Sequence, residues 1–462
     1  MSQTISRRIH EQVNLLRSQP QLAFSDLLDA GMVNEVLEAE GVTYRERIFT
    51  PLVTLWTFLT QVLSLDHCCR KAVACLIAYR TARGQKPCSA DSGSYCKARQ
   101  RLPLGVIIRI LYGTANAIEE RAPAGWLWKL RETLLADGST FSMPDTPENQ
   151  KAFPQSRTQA RGLGFPIGRI VALISLATGV MRDLAIGPYK GKETGEPALL
   201  RELLGRLKGG EVLLGDRCFA SYFGINALVQ RGVDGLFRMH QLRKYDFRRG
   251  MQLGIDDHIV TWDRPKRPSW MDPEEYDRLP NTQKIRELRL HVQRPGFRVD
   301  ELVLVTTMLD PEEYTKEELA QLYFERWNIE LNLRSIKCIM QMDVLRCETP
   351  EMVTKEIWMH ALAYNLIRGV MAAAAEAHDK MPRQISFAGA LQTMEAFRDK
   401  LSAASPEDRT QLVEVMLQAI ASHEVGDRPG RVEPRAIKRR PKPHDLLTEP
   451  RDKARKRLMR VA

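Results

Sequence analysis

Apolar and polar residues follow two different patterns along the chain. Up to about residue 125, apolar residues recur every three or four positions, most clearly over 24–40 and 51–80, and this spacing predicts helices. From residue 126 to 237, short apolar runs are separated by turn residues, which is typical of strands that alternate with helices. The chain is therefore expected to form an α/β fold with a mixed sheet, preceded by a helical region.

Two similar sequences in the strand-rich part each contain an aspartate. L-L-A-D-G includes Asp137 and L-L-G-D-R includes Asp216, and both follow apolar runs that we interpret as strands, over 133–136 and 211–215. Sheets of α/β proteins bind ligands at the carboxyl ends of their strands, so the two aspartates are candidates for one site. An aspartate in a strand-ending turn is also common for structural reasons alone.

A later stretch, from residue 315 to 337, predicts one continuous helix. Thr315 and Glu318 have the spacing of a capping box, and no Gly or Pro follows within the stretch. At 100° per residue, one narrow polar stripe contains Tyr323, Arg326, Glu330 and Lys337. Glu318 and Glu325 point elsewhere, and apolar residues fill much of the remaining surface. We expect a largely buried helix that turns its polar stripe toward a cleft.

Asp137, Asp216 and Glu330 are together a candidate metal site. Three carboxylates in one cleft repel each other unless cations neutralise them. Magnesium prefers carboxylate oxygens, and a pair of such ions suits phosphoryl transfer, so two Mg²⁺ ions are expected, with Mn²⁺ as an alternative. The eight cysteines lack paired metal-ligand spacing, alone or with His67, so reduced thiols are expected rather than a zinc site.

The net charge of +11 favours a polyanionic partner, either nucleic acid or a membrane surface. The apolar runs are too short to span a bilayer, and an intracellular protein is expected. The candidate DNA contacts are basic or aromatic: Lys97, Arg99 and Arg101 in a short helix, Arg217 after Asp216, Arg248, Arg249 and Trp262 in an insertion, and Lys438, Arg439 and Arg440 in a tail that we expect to be extended. The alternative for each of these groups is an ordinary solvated basic surface.

The spacing Y-x2-R-x3-E-x6-K, formed by Tyr323, Arg326, Glu330 and Lys337, resembles the signature of bacterial insertion-sequence transposases of the insertion sequence four group. Asp137 in A-D-G-S-T and Asp216 in G-D-R-C-F-A-S resemble the two aspartate regions of that family. The interval between Asp216 and Glu330 is the longer one, and it leaves room for the insertion that the family carries before its glutamate.

The resemblance implies a ribonuclease H-like catalytic core with a D-D-E triad, in which Asp137, Asp216 and Glu330 hold the two metal ions. Arg326 and Lys337 would hold phosphates, and Tyr323 would donate a hydrogen bond to one. The implied activity is cleavage at insertion-sequence ends and strand transfer into target DNA. The implied partner is double-stranded DNA, as terminal inverted repeats and target, bound by a homodimer in the bacterial cytoplasm near the nucleoid.

Two alternatives remain open at this point. One is a metal-dependent nuclease of the same fold without strand transfer, and the other is a catalytically silent DNA-binding protein. One departure from the family concerns a base-trapping tryptophan in the strand before the glutamate helix, where this chain reads E-L-V-L-V-T-T. Trp262 and Trp270 are alternatives for that stacking role.

We expect six regions along the chain. They are a helical DNA-binding region over 1–125, the first part of the catalytic core over 126–237, a β-rich basic insertion over 238–295, the second part of the core over 296–375, a helical region over 376–430 and a basic tail over 431–462.

Overall fold

The computed structural model describes residues 28, 30–64, 66–291, 301–426 and 446–459. Within these ranges, nine strands form one mixed sheet in the order β3-β2-β1-β4-β5-β9-β8-β7-β6. The strands are β1 (Thr133–Ser142), β2 (Ile167–Ser175), β3 (Met181–Pro188), β4 (Val212–Gly215), β5 (Asp234–Arg238), β6 (Met251–Gly254), β7 (Asp257–Asp263), β8 (Thr282–His291) and β9 (Glu301–Thr306).

The first five strands confirm the expected ribonuclease H-like mixed sheet. β1, β2 and β3 are antiparallel neighbours, whereas β1, β4 and β5 run parallel. A turn joins β2 to β3, and in it Gly179 adopts a φ of 75°, which favours glycine. β4 is buried on both faces, as expected of a parallel strand between helical layers.

Helices cover the sheet and form both ends of the described chain. They are α1 (Ala30–Ala39), α2 (Pro51–Leu63), α3 (Cys69–Ala82), α4 (Gly93–Arg101), α5 (Leu104–Glu120), α6 (Pro147–Ala152), α7 (Glu196–Leu203), α8 (Tyr222–Val229), α9 (Pro273–Asp277), α10 (Lys316–Phe324), α11 (Trp327–Arg334), α12 (Pro350–Ala377), α13 (Phe387–Ala403), α14 (Pro406–Ser422) and α15 (Arg451–Met459). Among these helices, none is long and apolar enough to cross a membrane.

Alternate residues of the central strands face two apolar cores. Leu135 of β1 and Leu214 of β4 belong to the larger core, which includes α12 and much of the amino-terminal helical region. Leu134 and Leu213 belong to the second core, with α7 and α8. The strand period of two therefore distributes the helices over both faces of the sheet.

The residues between β5 and β9 extend the same sheet. β8 pairs with β9 along six residues, and β9 pairs with β5, so β6, β7 and β8 continue the core sheet at its edge. β8 begins at Thr282, within the region over 238–295 that was expected to be a β-rich insertion. The inserted strands are thus anchored to the strand that leads into α10.

The helix predicted over 315–337 is divided into three parts. The capping box of Thr315 and Glu318 starts α10 as expected. The N–H groups of Glu325 and Arg326 then donate to carbonyls three residues back, which tightens the helix between α10 and α11. A π-helical turn over Ser335–Ile339 ends the segment. Uninterrupted helical propensity did not predict these local changes in hydrogen bonding.

Two further expectations are corrected. The helix predicted over 51–80 is broken between α2 and α3, where the Ser64 hydroxyl donates to the Gln61 carbonyl and His67 adopts a φ of 50°. The tail is helical over Arg451–Met459 rather than extended. Lys438, Arg439 and Arg440 lie outside the described residues.

Candidate active site

Asp137 and Asp216 lie side by side at the point where the pairing of β1 with β4 ends. In the parallel pair of β1 and β4, Ala136 is aligned with Gly215, and this is the last matched position. The two aspartates come next, on strands that lie about 4.8 Å apart. β4 ends there, whereas β1 continues along β2 to Ser142, so Asp137 is within a strand and not at its end as predicted. The carboxylates therefore border a gap in the sheet.

Backbone amides hold both aspartate carboxylates. The N–H of Gly138 donates to Asp137 Oδ1 at 2.7 Å, and the N–H of Cys218 donates to Asp216 Oδ1 at 2.9 Å. Each bond engages one carboxylate oxygen and so fixes the direction of the other. Two carboxylates are therefore oriented by the main chain.

Glu330 reaches the same place from α11, which packs against β1. Arg326 Nη2 lies 3.2 Å from Glu330 Oε1, and Arg326 Nη1 lies 3.9 Å from Asp137 Oδ2. The Glu330 side chain is 42% exposed and that of Arg326 is 13% exposed. The arginine thus stands between two of the three carboxylates, and the site opens to solvent at Glu330.

Burial raises the pKa of Asp137 to about 6. The negative charges of Glu196 and Glu330 act in the same direction, while the Gly138 N–H and Arg326 oppose them. Arg326 therefore neutralises this site incompletely, and a further cation would stabilise the ionised carboxylate.

Glu196, the first residue of α7, is a fourth carboxylate that sequence reasoning missed. Its Oε2 accepts a hydrogen bond from the Cys218 thiol at 3.5 Å, and Oε1 lies 4.0 Å from Arg169 Nε. A Cβ added at Gly138 would lie 2.5 Å from the Glu196 carboxyl carbon, so this side chain packs directly on β1 beside Asp137. The glycine after Asp137 was the available signal, because a residue without a side chain permits close approach.

Tyr323 is buried beside Arg326 and Asp216. Burial raises the pKa of Tyr323 to about 12; the charge of Asp216 acts in the same direction, and Arg326 and Arg238 oppose it. The Arg326 guanidinium lies 5.9 Å from the Tyr323 ring centroid. The hydroxyl therefore keeps its proton near neutral pH and is available as a hydrogen-bond donor.

The structure does not bring every member of the predicted stripe into contact. Lys337 is half-buried in the π-helical turn, and among the residues with described positions none forms an ion pair with it. The tightened turn before α11 and the π turn after it both change the angle per residue, so a 100° wheel loses accuracy over this length.

Two candidate DNA contacts are buried, which corrects the sequence interpretation. The Arg99 guanidinium donates to Gln61 Oε1 at 3.0 Å and lies 5.1 Å from the centre of the Tyr95 ring. Trp262 is 3% exposed, and its Nε1 donates to Glu287 at 2.9 Å. Since both side chains are enclosed by protein partners, neither is placed to touch DNA in this conformation.

The other described candidates are at the surface. Lys97 and Arg101 are exposed on α4. Arg217 is exposed and donates to Gln241 Oε1 at 2.7 Å. Arg248 and Arg249 are 90% and 83% exposed and both pair with Asp246. Trp270 is half-buried, with the Arg201 guanidinium 3.8 Å from its ring centre.

The donor set of the site fits a divalent metal ion that prefers oxygen ligands. Asp137, Asp216, Glu330 and Glu196 supply only carboxylate oxygens, and Arg326 neutralises two of them incompletely. The donor atoms of the first three do not all lie within 4.8 Å of one another, and Arg326 stands between Asp137 and Glu330.

Comparisons with known proteins agree with this chemistry. Residues 128–366 match the family model described as a transposase DDE domain. The chain is 28% identical over 428 residues to transposase InsG for insertion sequence element IS4 of Escherichia coli (strain K12), covering 91% of this chain and 93% of that protein. It is 36% identical over 69 residues to the transposase for insertion sequence element IS421 of Escherichia coli, covering 15% of this chain and 19% of that protein.

Among solved structures, the synaptic complex of piggyBac transposase with hairpin DNA is similar to this chain at a TM-score of 0.43 and 10% identity, covering 87% of this chain and 85% of that one.

A ribonuclease H-like sheet with converging carboxylates defines a metal-dependent enzyme of phosphoryl transfer. The family match spans more than half of the chain, and the chain belongs to the DDE transposases, within the insertion sequence four group. It is an enzyme that catalyses DNA cleavage and strand transfer, and enzymes with this domain depend on a divalent metal ion.

Proposed function

We propose that this transposase cleaves DNA at the ends of an insertion sequence and joins those ends to target DNA, with Asp137, Asp216 and Glu330 as its metal ligands. The observation that carries the proposal is the alignment of Ala136 with Gly215, which brings the two aspartates together at the gap in the sheet. The contact of Arg326 with both Asp137 and Glu330 adds the third carboxylate.

Two Mg²⁺ ions, or Mn²⁺ in their place, would activate water or a 3′ hydroxyl and stabilise the leaving oxygen. The remaining chemistry belongs to the protein. The main-chain bonds at Asp137 and Asp216 hold the ligands before a metal arrives, which lowers the cost of ordering them. Glu196 is the fourth carboxylate and is placed to orient ligands around Asp137.

Arg326 has two tasks in this proposal. Without metal it partly neutralises Asp137 and Glu330, as the described contacts show. The guanidinium could also hold a DNA phosphate that enters the cleft, through two parallel hydrogen bonds. Tyr323, protonated near neutral pH, would donate to the same phosphate group, and Lys337 would contact the DNA further along.

The proposed DNA partners are the terminal inverted repeats and the target. The net charge of +11 and the exposed Lys97, Arg101 and Arg217 support a backbone-binding surface. Arg248 and Arg249 add to it, although Asp246 shares their charge. InsG is named as the transposase of one insertion sequence element. Because inverted repeats at the two ends of an element are related by two-fold symmetry, we propose that a homodimer acts on the paired ends.

The test is a joining assay on linear DNA that carries the ends of the element. We expect the wild-type protein with Mg²⁺ to release 3′ hydroxyl ends and to join them to a labelled target duplex. Asp137→Asn and Asp216→Asn should still bind the ends in a gel-shift assay but yield neither product. Cleavage without any joined product would instead indicate a nuclease, and cleavage by either variant would contradict the ligand assignment.

A further inference from the structure

A second group of metal-binding side chains lies away from the carboxylate cleft. His67 is in the connection between α2 and α3, and Glu356 and His360 lie one turn apart on α12. Their donor atoms all lie within 4.8 Å of one another. The three residues are 5%, 1% and 0% exposed, so the group is enclosed by protein.

His360 has no hydrogen-bond partner for either ring nitrogen among the described residues. Burial lowers the pKa of His360 to about 3, and His67 acts in the same direction, so the ring is neutral. The two imidazole rings are 5.2 Å apart between centroids and tilted by 46°. A neutral buried imidazole without a partner is unusual, because buried polar groups are normally satisfied.

Glu356 is a buried carboxylate without a described ion pair. It accepts hydrogen bonds from the N–H of Arg346 at 3.0 Å and of Cys347 at 2.9 Å. These bonds fix the carboxylate beside the two histidines. In known metal sites, hydrogen bonds from surrounding groups orient the ligands in the same way. A cation shared with neutral imidazoles would balance its charge.

We propose that His67, Glu356 and His360 bind one Zn²⁺ ion that joins the amino-terminal helical region to the catalytic core. Two imidazole nitrogens and one carboxylate are ligands that zinc accepts, at distances of about 2.0–2.2 Å, and Mg²⁺ rarely takes nitrogen ligands. Binding would require small side-chain rotations that bring the three donors to such distances, and a water would complete a four-coordinate site. Because the group is enclosed, the ion has a structural role and does not act on DNA.

The chain topology explains what such an ion would hold. α2 and α3 belong to the amino-terminal helices, whereas α12 packs in the large core next to the catalytic sheet. His67 adopts a φ of 50°, in the left-handed region, at the point where α2 gives way to α3. A metal bond at this residue would fix the connection against α12.

This zinc site was missed in the sequence for a clear reason. In the sequence, the nearest possible zinc ligands beside His67 are the neighbouring cysteines, such as Cys68 and Cys69, and metal ligands often come in close pairs. The structure pairs His67 instead with E-x-x-x-H of α12, far along the chain. That spacing puts both side chains on one helix face but is common in helices without metal.

The test measures metal content and metal-dependent stability of the full chain, without reference to DNA cleavage. Protein purified without chelator should contain about one zinc per chain by elemental mass spectrometry. Removal of zinc by a chelator should lower the melting temperature by about 5 °C or more, and Zn²⁺ should restore it. Co²⁺ added to the metal-free protein should give the visible absorption of a four-coordinate histidine site.

His67→Gln and His360→Gln should lower the zinc content at least tenfold and remove the effect of chelator on melting. The matched control is His378→Gln, which changes an exposed histidine at the end of the same helix and should keep full zinc. Asp137→Asn should also keep zinc, because its carboxylate is in the other site. A wild-type protein that contains no zinc, gains no Co²⁺ absorption and melts equally with chelator would overturn the proposal in favour of a buried water. His67→Gln serves as the second variant if His360→Gln does not fold.

Discussion

Two clusters in this protein place an arginine against several carboxylates, with different results. The closed cluster is Arg182 with Glu119, Glu132 and Glu211. Arg182 Nη2 lies 2.9 Å from Glu119 and 2.6 Å from Glu132, and Nη1 donates to Glu211. The Arg182 side chain is 3% exposed. These contacts are short and mostly buried, so the positive charge is fully engaged within the protein.

The open cluster is Arg326 with Asp137 and Glu330. Its contacts are longer, at 3.9 and 3.2 Å, and Glu330 is partly exposed. Asp216 lies alongside, and no described ion pair involves it. The comparison shows that the same residue types stabilise a fold when hydrogen bonds close the set. When some carboxylate oxygens lack hydrogen-bond donors and face solvent, the same residue types form a site that still requires cations.

The largest expected effect is on catalysis at the open cluster. Asp137→Asn or Asp216→Asn should reduce Mg²⁺-dependent end cleavage by on the order of a thousandfold or more, because metal-bound carboxylates contribute several kcal/mol to transition-state stabilisation. The melting temperature should stay the same or rise, since each change removes a repelling charge. Cleavage of labelled end DNA and thermal melting are the two measurements. A large loss of stability would show that this cluster is closed like the other one.

Arg182→Met should have the opposite effect. It leaves three glutamates facing each other without their cation, and we expect a loss of about 3–5 kcal/mol in the free energy of unfolding. Urea unfolding measures this loss. The fraction that remains folded should cleave DNA at the normal rate per active molecule. An unchanged stability would contradict the view that the closed cluster holds the fold together.

A moderate effect is expected at Glu196. Gly138→Ala should push the Glu196 side chain away from Asp137, because the added Cβ would lie 2.5 Å from its carboxyl carbon. We expect about a tenfold loss of cleavage, comparable to Glu196→Ala. The double variant should lose no more than either single change, since both remove the same carboxylate. Additive losses in this double-mutant cycle would show that Gly138 acts independently of Glu196.

The smallest expected effect is on DNA affinity at α4. Arg101→Ala should weaken binding a few-fold and reduce the slope of log affinity against log salt by about 1, because an exposed arginine can release one phosphate counterion. The matched control is Arg99→Lys on the same helix. Since Arg99 is buried against Gln61 and Tyr95, this change should lower stability and leave the salt slope unaltered. DNA-binding titrations at several salt concentrations measure the salt slope of both variants and so distinguish Arg101→Ala from Arg99→Lys.

The sequence predicted those parts of the structure that depend on local pattern. The strand and helix order of the core followed from periodicity, and the capping box of Thr315 and Glu318 was found as predicted. The wheel also separated Glu330 from Glu325, which lies 3.3 Å from Arg383 instead. Local pattern is informative here because burial of one face dictates residue spacing.

The rest could not be predicted because it depends on contacts between distant segments. Glu196 reaches the site through the packing of α7 on β1, and nothing near it in the chain indicates this. Arg99 and Trp262 have the composition of DNA contacts, yet buried partners from other segments enclose them. Continuation of β1 past Asp137 requires its pairing with β2, which a count of apolar residues does not show.

The most direct test compares Glu330→Gln with Glu325→Gln, two isosteric changes on neighbouring turns of the same helical segment. Only Glu330 meets Arg326 of the open cluster, whereas Glu325 pairs with Arg383. In Mg²⁺-dependent cleavage of element-end DNA, Glu330→Gln should reduce the rate by on the order of a thousandfold, and Glu325→Gln should stay within about threefold of wild type. Normal cleavage by Glu330→Gln, or equal losses in both variants, would contradict the assignment of Glu330 as the third metal ligand.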